Sequence, residues 1–201
     1  MSLLPPPFLL PYPLVLGSAS PRRKSLLDSL GFRFEVQVFP TDETFPSHLA
    51  AAETAAYLAR KKADAFPENI LNSHLLLTAD TIVVSNGQVL NKPGNREEAL
   101  WMLQQINGKT HEVYTGVCVR SPEKSHDWAI RTAVTTFSLS HAMLAYYVDH
   151  FAPMDKAGAY GIQEFYGMAG VEKVDGCFYN VMGLPTSSIF QHLYKNYHAH
   201  P

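Results

Sequence analysis

The first residues that could do chemistry lie near the N-terminus, in the run SASPRR at residues 18–23. Its second serine and its proline are typical of a helix N-cap and of a first helical position. A helix that begins there presents free backbone N–H groups and the positive end of its dipole. Two arginines in that turn are unfavourable without an anion, and guanidiniums bind phosphate bidentately. Ser18, Arg22 and Arg23 are therefore predicted to bind phosphate, with a capped helix carrying solvated arginines as the alternative.

The second candidate is a pair of carboxylates. Asp80 follows the apolar run LLLTA at residues 75–79, and Glu43 lies in the acidic segment TDET at residues 41–44. A carboxylate that ends a buried strand and faces a phosphate site can hold Mg²⁺ or activate water. Magnesium sites commonly combine one or two carboxylates with substrate phosphates and waters. Asp80 is therefore predicted to be catalytic and to share a metal with Glu43, with an ordinary strand-end aspartate as the alternative.

Two lysines and a glutamine complete the set. Lys62 lies near the end of a predicted helix, and Lys92 precedes Pro93, which stiffens the backbone. Beside two arginines and an acidic pair, these lysines fit the cations that stabilise phosphoryl transfer. Gln163 ends the segment DKAGAYGIQ at residues 155–163, whose small residues let the backbone approach a ligand. Its amide can both donate and accept, as reading a base edge requires. Surface lysines and a flexible surface loop are the alternatives.

Three other patterns predict no site. The GKT at residues 108–110 resembles the end of a P-loop, but Leu103 occupies the upstream position that needs glycine. Cys118 and Cys177 are too few for a disulfide framework, which indicates reduced thiols. The histidines of the HAH tail at residues 198–200 are terminal, where a metal site rarely forms.

The elements that must position these residues alternate along the chain without repeats. Strands are predicted at Leu14–Leu16, Phe34–Phe39, Leu75–Thr78, Ile82–Ser85, Gln88–Leu90, Val113–Val119, Ala129–Leu139, Val171–Val174 and Cys177–Met182. Helices are predicted from Ser20 to Gly31, at Ala50–Ala65 and Asn95–Ile106, from Ser140 to about His150, and at Ser187–Tyr197. The segment Asp155–Gly170 is predicted to be a functional loop. Because the order is not a strict βαβ repeat, we expect an α/β fold with a mixed sheet flanked by helices.

The composition is that of an ordinary globular protein. The 201 residues are 46% hydrophobic and 17% charged, with a net charge of −2. The lack of a basic excess argues against a nucleic-acid partner, and no segment resembles a membrane span. Prolines within residues 1–13 and the lack of a basic start argue against a signal peptide, so the cytoplasm is the predicted compartment. We predict a proline-rich extension at residues 1–13 and a single domain at residues 14–201.

Together these segments resemble the family of Maf-like nucleotide pyrophosphatases. Four blocks match that family in order: LGSASPRRKSLLDSLG; TDE with the later LARKKA; LLTADTIVVSNGQVLNKP; and DKAGAYGIQ with the closing NVMGLP. The resemblance runs from about Leu14 to Leu193. It implies two lobes with a central cleft, a fold related to the inosine-triphosphate pyrophosphatases, and a divalent cation such as Mg²⁺ or Mn²⁺.

The resemblance also implies roles for single residues. The catalytic aspartate of the family falls on Asp80, and the family's metal-associated acid falls on Glu43. The family's phosphate-contacting cations fall on Arg22, Arg23, Lys62 and Lys92. Members that act on dTTP and UTP look like this chain in having arginine at position 22, threonine at Thr81 and glutamine at Gln163. The branch that acts on 7-methyl-GTP typically carries tryptophan at the first of these positions and glutamate at the third. Ala19 departs from the glycine that is common there.

The implied reaction is attack of water on the α-phosphorus of dTTP, UTP or a modified pyrimidine nucleotide, which releases the monophosphate and pyrophosphate. Asp80 would orient or deprotonate the water. A nucleoside triphosphate is thus the predicted partner, and the chain could assemble as a homodimer. A nucleotide-binding regulator of cell division or septum formation, with little turnover, is the alternative. The acidic pair argues against a pure binder, because binding polyphosphate needs cations but not Asp80.

Overall fold

The computed structural model describes residues 9–197, so residues 1–8 of the predicted extension and the HAH tail lie outside the described residues. The strands are β1 (Leu14–Leu16), β2 (Phe34–Val36), β3 (Leu75–Ser85), β4 (Gln88–Leu90), β5 (Thr110–Arg120), β6 (Ser125–Thr136) and β7 (Val171–Asp175). The helices are α1 (Pro21–Ser29), α2 (Ala51–Asp64), α3 (Glu68–Leu71), α4 (Arg96–Ile106), α5 (His141–Phe151), α6 (Phe165–Gly170), α7 (Phe178–Val181) and α8 (Thr186–Tyr197). Two short 3₁₀ turns, Pro153–Asp155 and Ala157–Ala159, lie between α5 and α6.

The described strands form a mixed sheet in the order β2-β1-β3-β5-β6-β7, with β4 paired to β3. β1 runs parallel to both of its neighbours, and its central residue Val15 pairs with Glu35 and with Leu76. The β3–β4 and β6–β7 pairs are antiparallel. This confirms the predicted α/β fold with a mixed sheet. No helix within residues 9–197 has both the length and the apolar character that a bilayer crossing requires.

Three predicted elements differ from the structure. The two strands predicted around Asp80 are one continuous strand, β3. Part of the segment predicted as a functional loop is helical, as α6. The predicted strand at Cys177–Met182 is wrong, because α7 occupies most of it.

Hydrogen bonds to β5 and β6 explain why the chain leaves the sheet after β7. Gly176 has a φ of +132°, which favours glycine, and it reverses the backbone. The Thr132 hydroxyl then donates to the Cys177 carbonyl at 3.2 Å and accepts from the Cys177 N–H at 3.0 Å. Asn180, which is fully buried, donates to the Val113 carbonyl at 3.1 Å. These tertiary contacts outweigh the β propensity of the apolar run.

The described residues form two compact units. The first contains residues 9–80, 115–129 and 183–197, and the second contains residues 81–114 and 130–182. Strands β3, β5 and β6 contribute residues to both units.

In the first unit, α2 packs closely against the sheet. A side chain on Gly116 of β5 would place its Cβ 1.9 Å from the Ala55 carbonyl oxygen, so only glycine allows this approach. The Thr78 hydroxyl of β3 donates to the Ala59 carbonyl at 2.7 Å. Burial raises the pKa of the Cys118 thiol, which lies in this core. The core residues are Val15, Ala59, Ala63, Phe66, Ile70, Leu76 and Cys118.

In the second unit, α4 and α5 cover an aromatic core. The Tyr147 ring of α5 stacks on Phe151 with centroids 5.2 Å apart and lies 5.9 Å from the Tyr166 ring. The Tyr160 hydroxyl lies 2.7 Å from Nε2 of His111, and both side chains are buried. Other large core residues of this unit are Leu90, Leu103, Ile106 and Leu144.

We expect His111 to make the protein less stable in mild acid. Burial lowers the pKa of His111 from its usual 6.5 to about 4, so the folded protein keeps the imidazole neutral over that interval. The unfolded chain takes up a proton as the pH falls through 6.5, and the folded chain does not. The stability linked to His111 is therefore complete above about pH 6.5 and declines as the pH falls toward 4, by about 3 kcal/mol.

The measurement is the free energy of unfolding by denaturant at pH 7 and pH 4.5 for the wild type and for His111→Gln. We expect a smaller acid loss in the variant. His126→Gln is the matched control, since that histidine is exposed. An equal acid loss in all three proteins would contradict the prediction.

Candidate active site

The serines after β1 and the first turn of α1 form a hydrogen-bonded group. Ser20 is the N-cap of α1, and its hydroxyl accepts from the Arg23 N–H at 3.4 Å. The Ser18 hydroxyl accepts from the Ser20 N–H at 3.2 Å and from Nη1 of Arg23 at 3.3 Å. The first turn of α1 contains no acidic residue that would balance Arg22 and Arg23. The predicted phosphate-binding residues Ser18, Arg22 and Arg23 are thus brought together.

Arg23 is fixed by contacts on two sides. Besides Ser18, its Nε donates to the Gly183 carbonyl at 2.8 Å. Burial lowers the pKa of Arg23; the charge of Asp80 raises it, and that of Arg22 lowers it further. Arginine stays protonated despite such shifts. Arg23 therefore presents a fixed positive charge that acts on Asp80, and an anion would relieve its repulsion from Arg22.

Lys62 joins the two predicted acidic residues. Its ammonium lies 3.1 Å from Oε1 of Glu43 and also forms an ion pair with Asp80. Asp80 is only 6% exposed, and such a buried carboxylate needs a charged or hydrogen-bonding partner. Glu43, Lys62 and Asp80 therefore form one charged group, which we call the acidic pair with its lysine.

The packing of α2 on β3 determines where this group lies. The bond from Thr78 to Ala59 lies two residues before Asp80 on the strand and three before Lys62 on the helix. Since β3 and α2 are both regular there, the contact between Thr78 and Ala59 also determines how Asp80 and Lys62 lie next to each other. The close approach at Gly116 fixes the same helix from a second strand.

A second ion pair holds the loop that carries Glu43. Lys61 forms an ion pair with Asp42 and donates to the Thr44 carbonyl at 3.0 Å. The Thr44 N–H donates to the Asp42 carboxylate at 3.0 Å. The bonds from Lys61 and Thr44 hold the pKa of Asp42 well below its usual range. This pair was not predicted from the sequence, where its signal is the equal spacing of Asp42 to Lys61 and of Glu43 to Lys62.

The acidic pair fits a divalent cation that arrives with phosphate. Among residues 9–197, no group of three or more histidine, cysteine or acidic side chains could hold a metal ion. However, carboxylates of Glu43 and Asp80 converge on the single ammonium of Lys62, so both can face the same positive charge. Mg²⁺ is often held by one or two carboxylates together with phosphates and waters. The donor set therefore suits a cation that shares its ligands with a nucleotide.

The other predicted substrate contacts belong to the second unit. Thr81 is partly exposed on β3, and Lys92 is exposed just after β4. Gln163 is partly buried, and its Oε1 is buried without a hydrogen-bond donor among the described residues. An unpaired buried acceptor is costly, so this oxygen is suited to a donor supplied by a ligand.

A buried ion-pair network that was not predicted from the sequence lies next to Gln163. Lys156 is only 7% exposed, and its ammonium lies 2.7 Å from Asp155 and 3.1 Å from Glu164. Glu164 also accepts from the Tyr147 hydroxyl at 2.5 Å. The only sequence signal was a lysine inside a run of small residues.

Comparisons with known proteins agree on one family. A family model described as "Maf-like protein" matches residues 13–196. A dTTP/UTP pyrophosphatase of Bacteroides thetaiotaomicron is 45% identical over 92% of this chain and 96% of its own. The protein of that name in Porphyromonas gingivalis is 44% identical over 90% of this chain and 93% of its own. That of Cytophaga hutchinsonii is 43% identical over 90% and 83%, respectively.

Likeness to solved structures is weaker. The Staphylococcus aureus Ham1 protein matches 61% of this chain and 71% of its own, with 12% identity and a TM-score of 0.41. A nucleoside-triphosphatase (dITP/XTP pyrophosphatase) from Mycobacterium abscessus matches 61% and 73%, with 14% identity and a TM-score of 0.36. TM-scores this low do not bear on function.

Proposed function

The chain belongs to the Maf-like protein family, and on that premise we propose that it hydrolyses dTTP and UTP to the monophosphate and pyrophosphate. The relatives that carry this activity in their names match over most of both chains. The observation that carries the proposal is the acidic pair with its lysine, on which Arg23 acts electrostatically. A site built only to bind polyphosphate would need the cations and not a buried carboxylate.

Each predicted site residue of the first unit has a proposed role. Asp80 orients the attacking water and accepts its proton, because it is a fixed carboxylate beside cations. Arg22, Arg23 and Lys62 bind the phosphates and stabilise the charge that develops on them, and the Ser18 hydroxyl keeps Arg23 in place. Glu43 and Asp80 would hold a divalent cation, which when bound supplies charge neutralisation for the leaving pyrophosphate. Thr81, Lys92 and Gln163 remain predicted substrate contacts.

The proposal predicts the products. Purified protein incubated with dTTP or UTP and Mg²⁺ or Mn²⁺ should form monophosphate and pyrophosphate in equal amounts. Chelation by EDTA should abolish turnover, and added Mg²⁺ should restore it, since without a divalent cation the two carboxylates would repel the phosphates. Chromatography of nucleotides and a coupled assay for pyrophosphate measure both products. Diphosphate and orthophosphate as primary products would mean cleavage of a different bond and would contradict the proposal.

Base selection is assigned to Gln163. Uracil and thymine present a carbonyl and an imide N–H side by side, and a glutamine amide can donate to the first and accept from the second. The buried Oε1 of Gln163 lacks a donor among the described residues, as this role requires. Cytosine offers an unprotonated N3 there, so an acceptor would face an acceptor at a cost of roughly 1–3 kcal/mol.

We expect Gln163→Glu to reduce the preference for UTP and dTTP over CTP. The glutamate keeps an acceptor but loses the donor and adds a negative charge. The measurement is kcat/KM for UTP, dTTP and CTP in the wild type and the variant, with Gln104→Glu as an exposed control on α4. Equal losses on all three nucleotides would mean that Gln163 only stabilises its own segment.

A further inference from the structure

A chain of side-chain contacts runs from a buried lysine to the segment that carries Gln163. Lys156 lies between the two 3₁₀ turns, and its ammonium contacts Glu164 at 3.1 Å. Its other partner, Asp155, is largely exposed, so Glu164 is the less solvated of the two anions. A buried ammonium holds its carboxylate strongly, because removing the partner would leave a desolvated charge.

Glu164, held by Lys156, in turn contacts Tyr147. Oε2 of Glu164 accepts from the Tyr147 hydroxyl at 2.5 Å, and the same hydroxyl oxygen accepts from the Gly161 N–H at 3.0 Å. Burial, followed by the bond to Glu164, raises the pKa of Tyr147, so the hydroxyl keeps its proton and donates. The contacts thus run from Lys156 through Glu164 and Tyr147 to the backbone of Gly161.

These contacts hold both ends of a short turn. The Glu164 N–H donates to the Gly161 carbonyl at 3.0 Å, so residues 161–164 close on themselves with Ile162 and Gln163 between. A Cβ on Gly161 would lie 2.8 Å from the Glu164 carboxyl carbon, and one on Gly167 would lie 2.0 Å from the Ile162 carbonyl oxygen. The turn is therefore packed between the Glu164 carboxylate and α6.

The turn carries an unused acceptor. Oε1 of Gln163 is buried and has no hydrogen-bond donor among the described residues. Glu164 makes no side-chain cap to α6, although it occupies the N-cap position. Its carboxylate instead forms an ion pair with Lys156 and accepts a hydrogen bond from Tyr147. A network that restrains the residues on both sides of Gln163 reduces the rotational freedom the amide loses when it pairs with a base.

We propose that Tyr147, Lys156 and Glu164 are positioning residues that set base selection by holding the 161–164 turn, and thereby Gln163, in place. This inference rests on the proposed function, because it assigns the residues that act through Gln163. None of the three needs to touch the nucleotide. Their effect should appear in KM and in the ratio of kcat/KM for UTP and CTP, with kcat for UTP nearly unchanged.

The test is Tyr147→Phe, which removes the hydroxyl and keeps the ring stacked on Phe151. Losing the bonds to Glu164 and Gly161 should raise KM for UTP and lower the UTP-to-CTP preference by about fivefold each. Tyr146→Phe is the matched control, because this neighbouring tyrosine is exposed on the same helix. A second measurement avoids turnover: calorimetric binding of UMP and CMP without metal should show the same loss of preference.

A double-mutant cycle with Gln163→Ala distinguishes positioning from general damage. If Tyr147 acts through Gln163, the effect of Tyr147→Phe on the preference should vanish in the Gln163→Ala background. Should Tyr147→Phe fail to fold, Glu164→Gln interrupts the same chain of contacts and takes its place in the cycle. A preference that survives Tyr147→Phe, or a loss of equal size in the Gln163→Ala background, would overturn the inference alone. Equal use of UTP and CTP by the wild type would instead contradict the proposed base selection.

Discussion

Asp80→Asn is expected to lower kcat by about a hundredfold or more, which is the size of loss seen when a general base or metal carboxylate is removed. Asparagine keeps the shape and one acceptor oxygen of the side chain but can neither take a proton nor neutralise a cation. The fold should survive, because Lys62 keeps its ion pair with Glu43 and is itself partly exposed. Asp80 lies in the interior of β3, so its backbone is held by strand pairing whichever side chain it carries.

Single-turnover rates with UTP and melting temperatures, measured on the same preparations, test this expectation. Asp64→Asn is the matched control, since Asp64 is an exposed carboxylate at the end of α2 paired with Arg120 at 2.9 Å. A folded Asp80→Asn protein with near-normal turnover would show that Asp80 is neither base nor metal ligand. A loss of turnover explained by a fall in melting temperature would assign it a structural role.

The second large effect concerns stability, and we expect it from Gly116→Ala. The added Cβ would lie 1.9 Å from the Ala55 carbonyl oxygen and 2.1 Å from its carbon, so α2 must move away from β5. Backbone atoms cannot rotate aside as a side chain can, and overpacking of this kind costs about 3 kcal/mol or more. Because Lys62 is on the same helix, turnover should fall as well.

Denaturant unfolding of Gly116→Ala and Gly94→Ala separates close packing from the general effect of replacing glycine. At Gly94 the nearest atom to a new Cβ is the carboxylate oxygen of Glu98, 3.3 Å away at the end of a flexible side chain. That variant should unfold within about 1 kcal/mol of the wild type. If both variants were equally stable, the close contact between α2 and β5 would not limit the fold.

Local rules predicted the parts of the molecule that depend on local chemistry. The bounds of β1 and of the first part of α1 followed from an apolar run, a capping serine and a proline, and Ser20 does cap α1. The sequence also indicated that Asp80 follows a buried run, and its catalytic role stays a prediction. The sequence could not show that the strand continues through Asp80 and Thr81 to Ser85, because Asp80 is stabilised inside β3 by its ion pair with Lys62 of α2.

What depends on distant partners was not predicted. The run at 177–182 has the apolar content of a strand, and it forms α7 because Gly176 reverses the backbone and Thr132 and Asn180 make hydrogen bonds that a strand there would not. Likewise, nothing in the local pattern links Tyr147 to Glu164, whose contact is made when α5 packs beside the 161–164 turn. Such pairs become visible only when the fold brings them together.

The two cysteines differ in exposure, so a thiol reagent can label one of them selectively. Cys118 is fully buried with a raised pKa, so it is a poor target for maleimides, whereas Cys177 at the start of α7 is partly exposed. A single fluorophore or spin label can therefore be attached to the second unit of the native chain without removing any residue. Adding one cysteine on the first unit, for example Ser25→Cys on the exposed side of α1, provides a pair of probes. The distance between those probes, followed during nucleotide addition, would report whether nucleotide changes the separation of the two labelled residues.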